Sequence, residues 1–269
     1  MQQIDLTGRT KEPITNHTSK GNQPKWHIDE LWYKADHMGY EALAEFVVSE
    51  LLKKTTVADF VKYDLISIKY DNQEKTGCVS ENFRTKNEIL IPVEKLHRQY
   101  FGKGLSAAIA AQDNIEDKIK YTVDFIEKTT GIKNFGEYLS AMLVLDAFFL
   151  NEDRHTNNIA VIRNEKTLQF RPAPVFDNGL SLLSDINDYP LNTDIYENIK
   201  KVSAKPFSAD FDEQLDAAEK LYGTQLKFSF TKADVREILQ KLQEFYDEEI
   251  IKRAEDVIFE QMRKYSAYF

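Results

Sequence analysis

The stretch Asn151-Glu152-Asp153-Arg154-His155-Thr156-Asn157-Asn158-Ile159, with Phe176-Asp177-Asn178-Gly179 further on, decides how this chain is read. Just before it, Leu139, Met142, Leu143, Leu145, Phe148 and Phe149 make a helix that is apolar nearly all round, the mark of a buried one. Just after it, Ile159-Ala160-Val161-Ile162 and Leu168-Gln169-Phe170 predict a short strand pair that leads to Asp177. A buried helix that delivers Asp-Arg-His into a polar loop, then a hairpin, then Phe-Asp-Asn-Gly, is costly to explain as a solvated turn.

The side chains in these two segments suit a particular chemistry. Hard oxygen donors hold Mg²⁺ against the phosphates of ATP, and an acid beside them accepts the proton of an attacking hydroxyl. On this reading Asp153 orients and deprotonates the acceptor, Asn158 gives its side-chain oxygen to the metal, and Asp177 bridges metal and phosphates. His155 is grouped with Asp153 as catalytic. For Arg154 and His155, two roles stay open: shaping the loop by hydrogen bonds, and touching phosphate. An Asp and an Asn at this spacing alone more often cap a turn, so Asp177 carries much of the weight.

Working outward, residues 1–25 are polar and read as a loop, with Thr18-Ser19-Lys20-Gly21-Asn22-Gln23-Pro24-Lys25 standing just before a strand at Trp26-His27-Ile28. Leu31-Trp32-Tyr33-Lys34-Ala35 is the next strand, and a turn at Met38-Gly39 feeds a helix whose apolar face is Leu43, Phe46, Val47 and Leu51. Strands are expected at 65–70 and 77–83, around the turn Asp71-Asn72-Gln73. From about residue 107 the pattern is helical, with Gly131 and Gly223 closing two helices and Thr231 with Asp234 opening one that carries Val235, Ile238, Leu239, Leu242 and Phe245. Strands with one helix, then mostly helices, imply an α+β, bilobal architecture: a small β-rich lobe over 1–83 and a larger helical lobe over 84–269.

Within the small lobe, Lys34 has a bland alternative as a solvated strand lysine, the commoner fate of lysines. Upstream of the Asp153 segment it also stands where a kinase-like lobe places a phosphate-binding lysine. Glu41 and Glu45 lie one turn apart on the following helix and either can pair with it; Glu45 is preferred. The loop with Ser19, Gly21 and Gln23 can cover phosphates with backbone N–H groups, although one glycine makes a weak motif.

Bulk properties narrow the classes. The 269 residues are 42% hydrophobic and 29% charged, which excludes disordered and collagen-like chains. The single cysteine, Cys78, excludes an intrachain disulfide and suits a cytoplasmic location. A net charge of −9 argues against direct nucleic-acid binding, and no apolar run is long enough to span a membrane.

The order of Ser19-Lys20-Gly21-Asn22-Gln23-Pro24-Lys25, Tyr33-Lys34, Glu45-Phe46, Glu81-Asn82-Phe83, Asn151 through Asn158 and Ala173-Pro174-Val175-Phe176-Asp177 resembles HipA-like serine/threonine kinases over roughly residues 17–183. The resemblance implies a kinase-like fold using ATP and Mg²⁺, with Asp153 as base, Asn158 and Asp177 as metal ligands and Lys34 on the nucleotide phosphates. Glu81 to Phe83 then fall at the hinge that meets adenine, largely through backbone groups, and Thr18, Ser19 and Ser184 are autophosphorylation candidates. Members of that family carry an additional amino-terminal subdomain, which the stretch before Thr18 is too short to contain. A separate small protein or antitoxin is therefore an expected partner, beside a protein substrate carrying Ser or Thr. The segment 180–207 lacks an Ala-Pro-Glu closure.

Two other functions remain from the residues. Phosphoinositide kinases share the Asp-Arg-His-x-x-Asn pattern, so a lipid or small-molecule hydroxyl is one alternative acceptor. A nucleotide-binding pseudokinase that docks partners through 208–269 is the other.

Overall fold

The computed structural model describes residues 2–12 and 23–269. Its amino-terminal part is a sheet formed by β1 (Gln3–Asp5), β2 (Lys25–Ile28), β3 (Leu31–Ala35), β4 (Asp64–Tyr70) and β5 (Gln73–Glu81), with α1 (Glu41–Leu52) inserted between β3 and β4. The strands lie in the order β1-β4-β5-β3-β2. β4 and β5 form a tight hairpin in which Asp71 and Asn72 have φ of 47° and 60°, a left-handed pair that Asp and Asn tolerate well. The polar start of the chain, expected to be loop, supplies β1 as a parallel edge strand on β4. Three residues are too few to print an alternation, so only the partner strand reveals it.

The expected apolar face of α1 is present, but the helix is buried far beyond it. Eleven of its twelve residues are buried, Glu41, Glu45 and Ser49 among them. The reason is its position, with the sheet on one side and the carboxy-terminal helices on the other, so Leu43, Val47 and Leu51 share a core with Phe148, Leu239 and Val257. Asp36 anchors its start by accepting the Ala42 N–H at 2.7 Å, and the Tyr246 hydroxyl donates to the same carboxylate at 2.7 Å.

The second part begins with β6 (Glu88–Pro92), α2 (Val93–Phe101), α3 (Leu105–Ile109), α4 (Ile115–Thr130) and α5 (Phe135–Phe149). Then come β7 (Ala160–Asn164), β8 (Phe170–Pro172), α6 (Ile195–Lys201), α7 (Phe211–Tyr222), α8 (Lys232–Gln240) and α9 (Glu248–Lys264). β6 pairs with β7, which pairs with β8, in a small antiparallel sheet beside the catalytic segment. The whole is α+β and bilobal, a β-rich lobe with one helix joined to a larger helical lobe. α5, apolar nearly all round as expected but with Asp146 in its last turn, runs through the middle of the larger lobe between its two main cores.

Gly131 ends α4 with φ 79°, the left-handed cap that glycine accepts without strain. Thr231 and Asp234 form a reciprocal capping box at the start of α8. The helix stops at Gln240 rather than continuing to Phe245. The chain turns there, with the Phe245 and Tyr246 N–H groups both donating to the Leu242 carbonyl, which carries Tyr246 to Asp36. Thr231→Ala is expected to cost about 1 kcal/mol through loss of the cap; urea unfolding of the variant beside the parent checks it.

Candidate active site

α5 delivers the catalytic segment through an abrupt reversal. Leu150 adopts φ 56°, a left-handed conformation unusual for a branched residue, and its N–H bonds back to the Asp146 carbonyl. Asp146, inside the last turn, receives the Asn151 side-chain amide at 3.0 Å and the Arg154 guanidinium at 2.9 Å. Arg154 is fully buried. Its other nitrogens donate to the carbonyls of Asn158 and Phe176 and to the Asn178 side-chain oxygen, at 3.1, 2.9 and 2.9 Å. One guanidinium thus ties α5, the Asp153 segment and the Asp177 segment together. This geometry gives Arg154 the loop-shaping role of the two open to it.

Asp153 is held at its backbone. Its N–H donates to the Asn151 side-chain oxygen at 3.1 Å, and its carbonyl accepts from the Asn158 amide nitrogen at 2.9 Å. Because Asn158 spends its nitrogen on Asp153, its side-chain oxygen is the atom left for a cation. Among the described residues the Asp153 carboxylate has three polar neighbours, the Asn158 amide nitrogen at 3.4 Å, His155 Nε2 at 3.7 Å and Lys205 Nζ at 3.4 Å. His155 Nδ1 is buried and meets no hydrogen-bond partner.

In the small lobe the strand register brings two lysines together. Lys25 on β2 is directly opposite Lys34 on β3, so both point to one face. Their charges meet carboxylates: Lys34 Nζ is 2.5 Å from Glu45 and 2.8 Å from Asp177, and Lys25 Nζ is 3.5 Å from the same Asp177 oxygen. Burial alone would lower the Lys34 ammonium, but Asp177 and Glu45 outweigh it and hold it well above its ordinary value. Burial would likewise raise the Asp177 carboxyl; Lys25, Lys34 and Arg154 prevail and keep it far below the usual carboxylate range. Glu41, the other acid considered for Lys34, instead accepts the N–H groups of His37, Met38 and Gly39.

Asp177 has φ 59°, a left-handed backbone that costs roughly 1–2 kcal/mol in an L-residue. It is fixed from both sides. The carbonyl before it accepts from Arg154, and the N–H after it, that of Asn178, donates to Glu45 at 2.9 Å. Glu45 therefore grips both Lys34 and the turn of Asp177, so side chains from both lobes set one carboxylate.

These charges close one end of a cleft of about 320 Å³. Trp32 and Lys34, alternate residues of β3, form its floor with Ser80 of β5, while Val61, Tyr63, Phe83, Leu90 and Phe176 give it apolar and aromatic walls. An apolar slot with lysines and an acid at one end matches a planar base attached to phosphates. Of the residues expected at the nucleotide, Lys34 and Phe83 line the cleft, and Glu45 and Asp177 meet Lys34 at its end. Gln23 reaches the same region, near Gly179, with its amide nitrogen buried and unpartnered. Glu81, exposed, lines a different depression, which Ser80 and Phe83 border as well. Ser19, Gly21 and Thr18 lie outside the described residues. Ser184 is buried and its hydroxyl donates to the Gly179 carbonyl at 2.6 Å, so in this conformation it is closed to phosphorylation.

Among the described residues no three His, Cys, Asp or Glu side chains cluster to hold a metal by themselves. The donor set still fits Mg²⁺, which is commonly held by one or two protein oxygens plus substrate phosphates and water rather than by a complete protein cage. Asp177, kept ionised, and the Asn158 side-chain oxygen are the residues that would hold it.

Lys25, Tyr63, Asp146 and Lys205 belong to this site, and sequence reasoning assigned none of them a role. Lys25 had a signal, since it stands at the end of the loop before Trp26 and alternation around the β2–β3 turn puts it on the face of Lys34. Asp146 hides inside an apolar helix, and Lys205 lies far along the chain.

No family model matches the sequence, and none of the curated proteins matches it. The fold is nevertheless similar to a solved one, a Helicobacter pylori proinflammatory kinase, CtkA. The TM-score is 0.63 at 18% identity, and the match covers 97% of this chain and 94% of that one. The chain thus has a kinase-like fold along nearly its whole length. Among the described residues no helix is long and apolar enough to cross a membrane.

Proposed function

We propose that this chain is a HipA-like kinase that transfers the γ-phosphate of ATP, with Mg²⁺, to a serine or threonine hydroxyl of a protein. One observation carries the reading: Lys34 is clamped between Glu45 and Asp177 at the end of an apolar cleft, and Arg154 ties that Asp177 to the segment bearing Asp153 and Asn158. Base, amide ligand and acid ligand are thereby preorganised by one buried cation, which is how enzymes keep polar groups from reorganising during the reaction.

The residues then have separate tasks. Trp32, Phe83 and Phe176 give the base its apolar, aromatic surroundings, while Lys34 and Lys25 neutralise phosphate oxygens. Asp177 and the Asn158 side-chain oxygen would hold Mg²⁺, which when bound would supply further neutralisation of the phosphates. Asp153 orients the acceptor hydroxyl and takes its proton as the new O–P bond forms. His155, beside the Asp153 carboxylate, positions it. A small antitoxin or amino-terminal subdomain protein as partner, and a toxin role, rest on the resemblance to the HipA family.

The test is transfer of label from γ-labelled ATP with Mg²⁺ to protein acceptors or to the chain itself, beside Asp177→Asn. Loss of one charge that both lysines and the metal require is expected to lower kcat/KM by about 10²-fold or more. A parent that transfers no label, or an Asp177→Asn variant as active as the parent, would falsify the proposal.

A further inference from the structure

A second cavity, of about 280 Å³, opens beside the catalytic segment and shares no lining residue with the nucleotide cleft. Ser106, Ile109, Lys118, His155, Thr156 and Lys205 line it. Lys205 Nζ stands 3.4 Å from the Asp153 carboxylate, and its side chain is 41% exposed, so it is near the base without being locked there. Its backbone is held better than its side chain. The Ala204 N–H donates to the Ala209 carbonyl at 2.8 Å, and Lys118 Nζ donates to the Phe207 carbonyl at 3.2 Å.

The other charged groups nearby are committed. Arg154, the cation of the catalytic segment, is buried and fully engaged with Asp146 and the two loops. The Glu94 carboxylate behind the cavity is taken up by Ser106, Thr156 and Arg98. Lys118 gives one of its three donors to the Phe207 carbonyl. Lys205 is the cavity lysine that stands on the Asp153 carboxylate, where a phosphoryl group would arrive.

We infer that this cavity admits the acceptor hydroxyl and that Lys205 is a catalytic residue contacting the transferring phosphoryl from the acceptor side. The inference rests on the kinase reading above and names where its acceptor binds. In the resting enzyme Lys205 is parked on Asp153. An entering hydroxyl takes that carboxylate and frees the ammonium. The acceptor oxygen then bonds to the γ-phosphorus as the bond from that phosphorus to the bridging oxygen breaks. The electron pair leaves on ADP, and the acceptor proton passes to Asp153. Lys205 stays protonated throughout and donates to a phosphoryl oxygen, the part that a positioned cation plays in phosphoryl transfer.

The experiment uses the whole chain with γ-labelled ATP, Mg²⁺ and two acceptors, dephosphorylated casein and water. Lys205→Ala is expected to lower kcat for both acceptors by about 10²-fold, with ATP affinity within about twofold of the parent and Lys205→Arg recovering much of the loss. Ala110→Trp, an exposed position on the rim of the cavity, is expected to cut casein phosphorylation about tenfold while leaving ATP hydrolysis within about twofold. Activity of Lys205→Ala within about threefold of an active parent would overturn the role of Lys205 alone. Normal casein phosphorylation by Ala110→Trp would overturn the cavity assignment alone. A fall in ATP affinity and melting temperature that tracks the loss of kcat would make Lys205 structural and sink the inference. A parent inactive toward both acceptors would overturn the inference together with the proposed function.

Discussion

Asp153→Asn is expected to lower kcat by about 10²–10⁴-fold, the range that a positioned general base contributes. The substitution keeps the size of the side chain and removes its basicity. The shorter bonds that shape the segment, from the Asp153 N–H to Asn151 and from Asn158 to the Asp153 carbonyl, are made by the backbone, and the longer contact of the Asn158 amide with the carboxylate, at 3.4 Å, can be kept by the oxygen of an Asn side chain. The nucleotide cleft is lined by other residues, so binding of Mg²⁺ and ATP should stay within about threefold of the parent. Single-turnover transfer of label measured beside calorimetric ATP titration separates the two quantities. A fall in kcat of less than about tenfold, with binding unchanged, would remove Asp153 from the role of base.

Arg154→Leu is expected to have the largest effect on stability, about 3–5 kcal/mol, because it leaves Asp146 charged, buried and without its partner. For a chain of this size that corresponds to a fall of roughly 6–20 °C in melting temperature. Removing both charges, as in Asp146→Leu with Arg154→Leu, should restore only part of the loss. Arg154 also satisfies the carbonyls of Asn158 and Phe176, and these stay unpaired in the double variant. Thermal unfolding of the two single variants and the double forms a cycle that tests this. Full recovery in the double variant would show that the ion pair alone accounts for the role of Arg154. The consequence for function is that Asp153 and Asp177, tied through this one side chain, are expected to lose their mutual placement together.

Some of this was legible because it is local. The all-round apolarity of α5, the glycine that ends α4, the capping box of α8 and the turn between β4 and β5 depend on residues within a few positions of one another, and local sequence carries them. The order of Asp153, Asn158 and Asp177 behind a buried helix pointed to their chemistry for the same reason. Where segments were misread, the deciding partner was distant. β1 is a strand because β4 accepts it, and β6, in a stretch that sequence patterning left unassigned, is one because β7 does. α8 stops early so that Tyr246 can reach Asp36.

By itself, the sequence determined the α+β, two-lobed order of elements and the side chains able to hold metal and take a proton, since periodicity and residue chemistry are properties of short stretches. The tertiary structure alone decided that Glu45 rather than Glu41 holds Lys34, that Arg154 is an internal tie, and that Lys205 comes to rest on Asp153. Each of those outcomes depends on which charges meet inside a common core, where a buried charge keeps its place only beside an opposite one, and chain positions as far apart as 153 and 205 become neighbours only after folding.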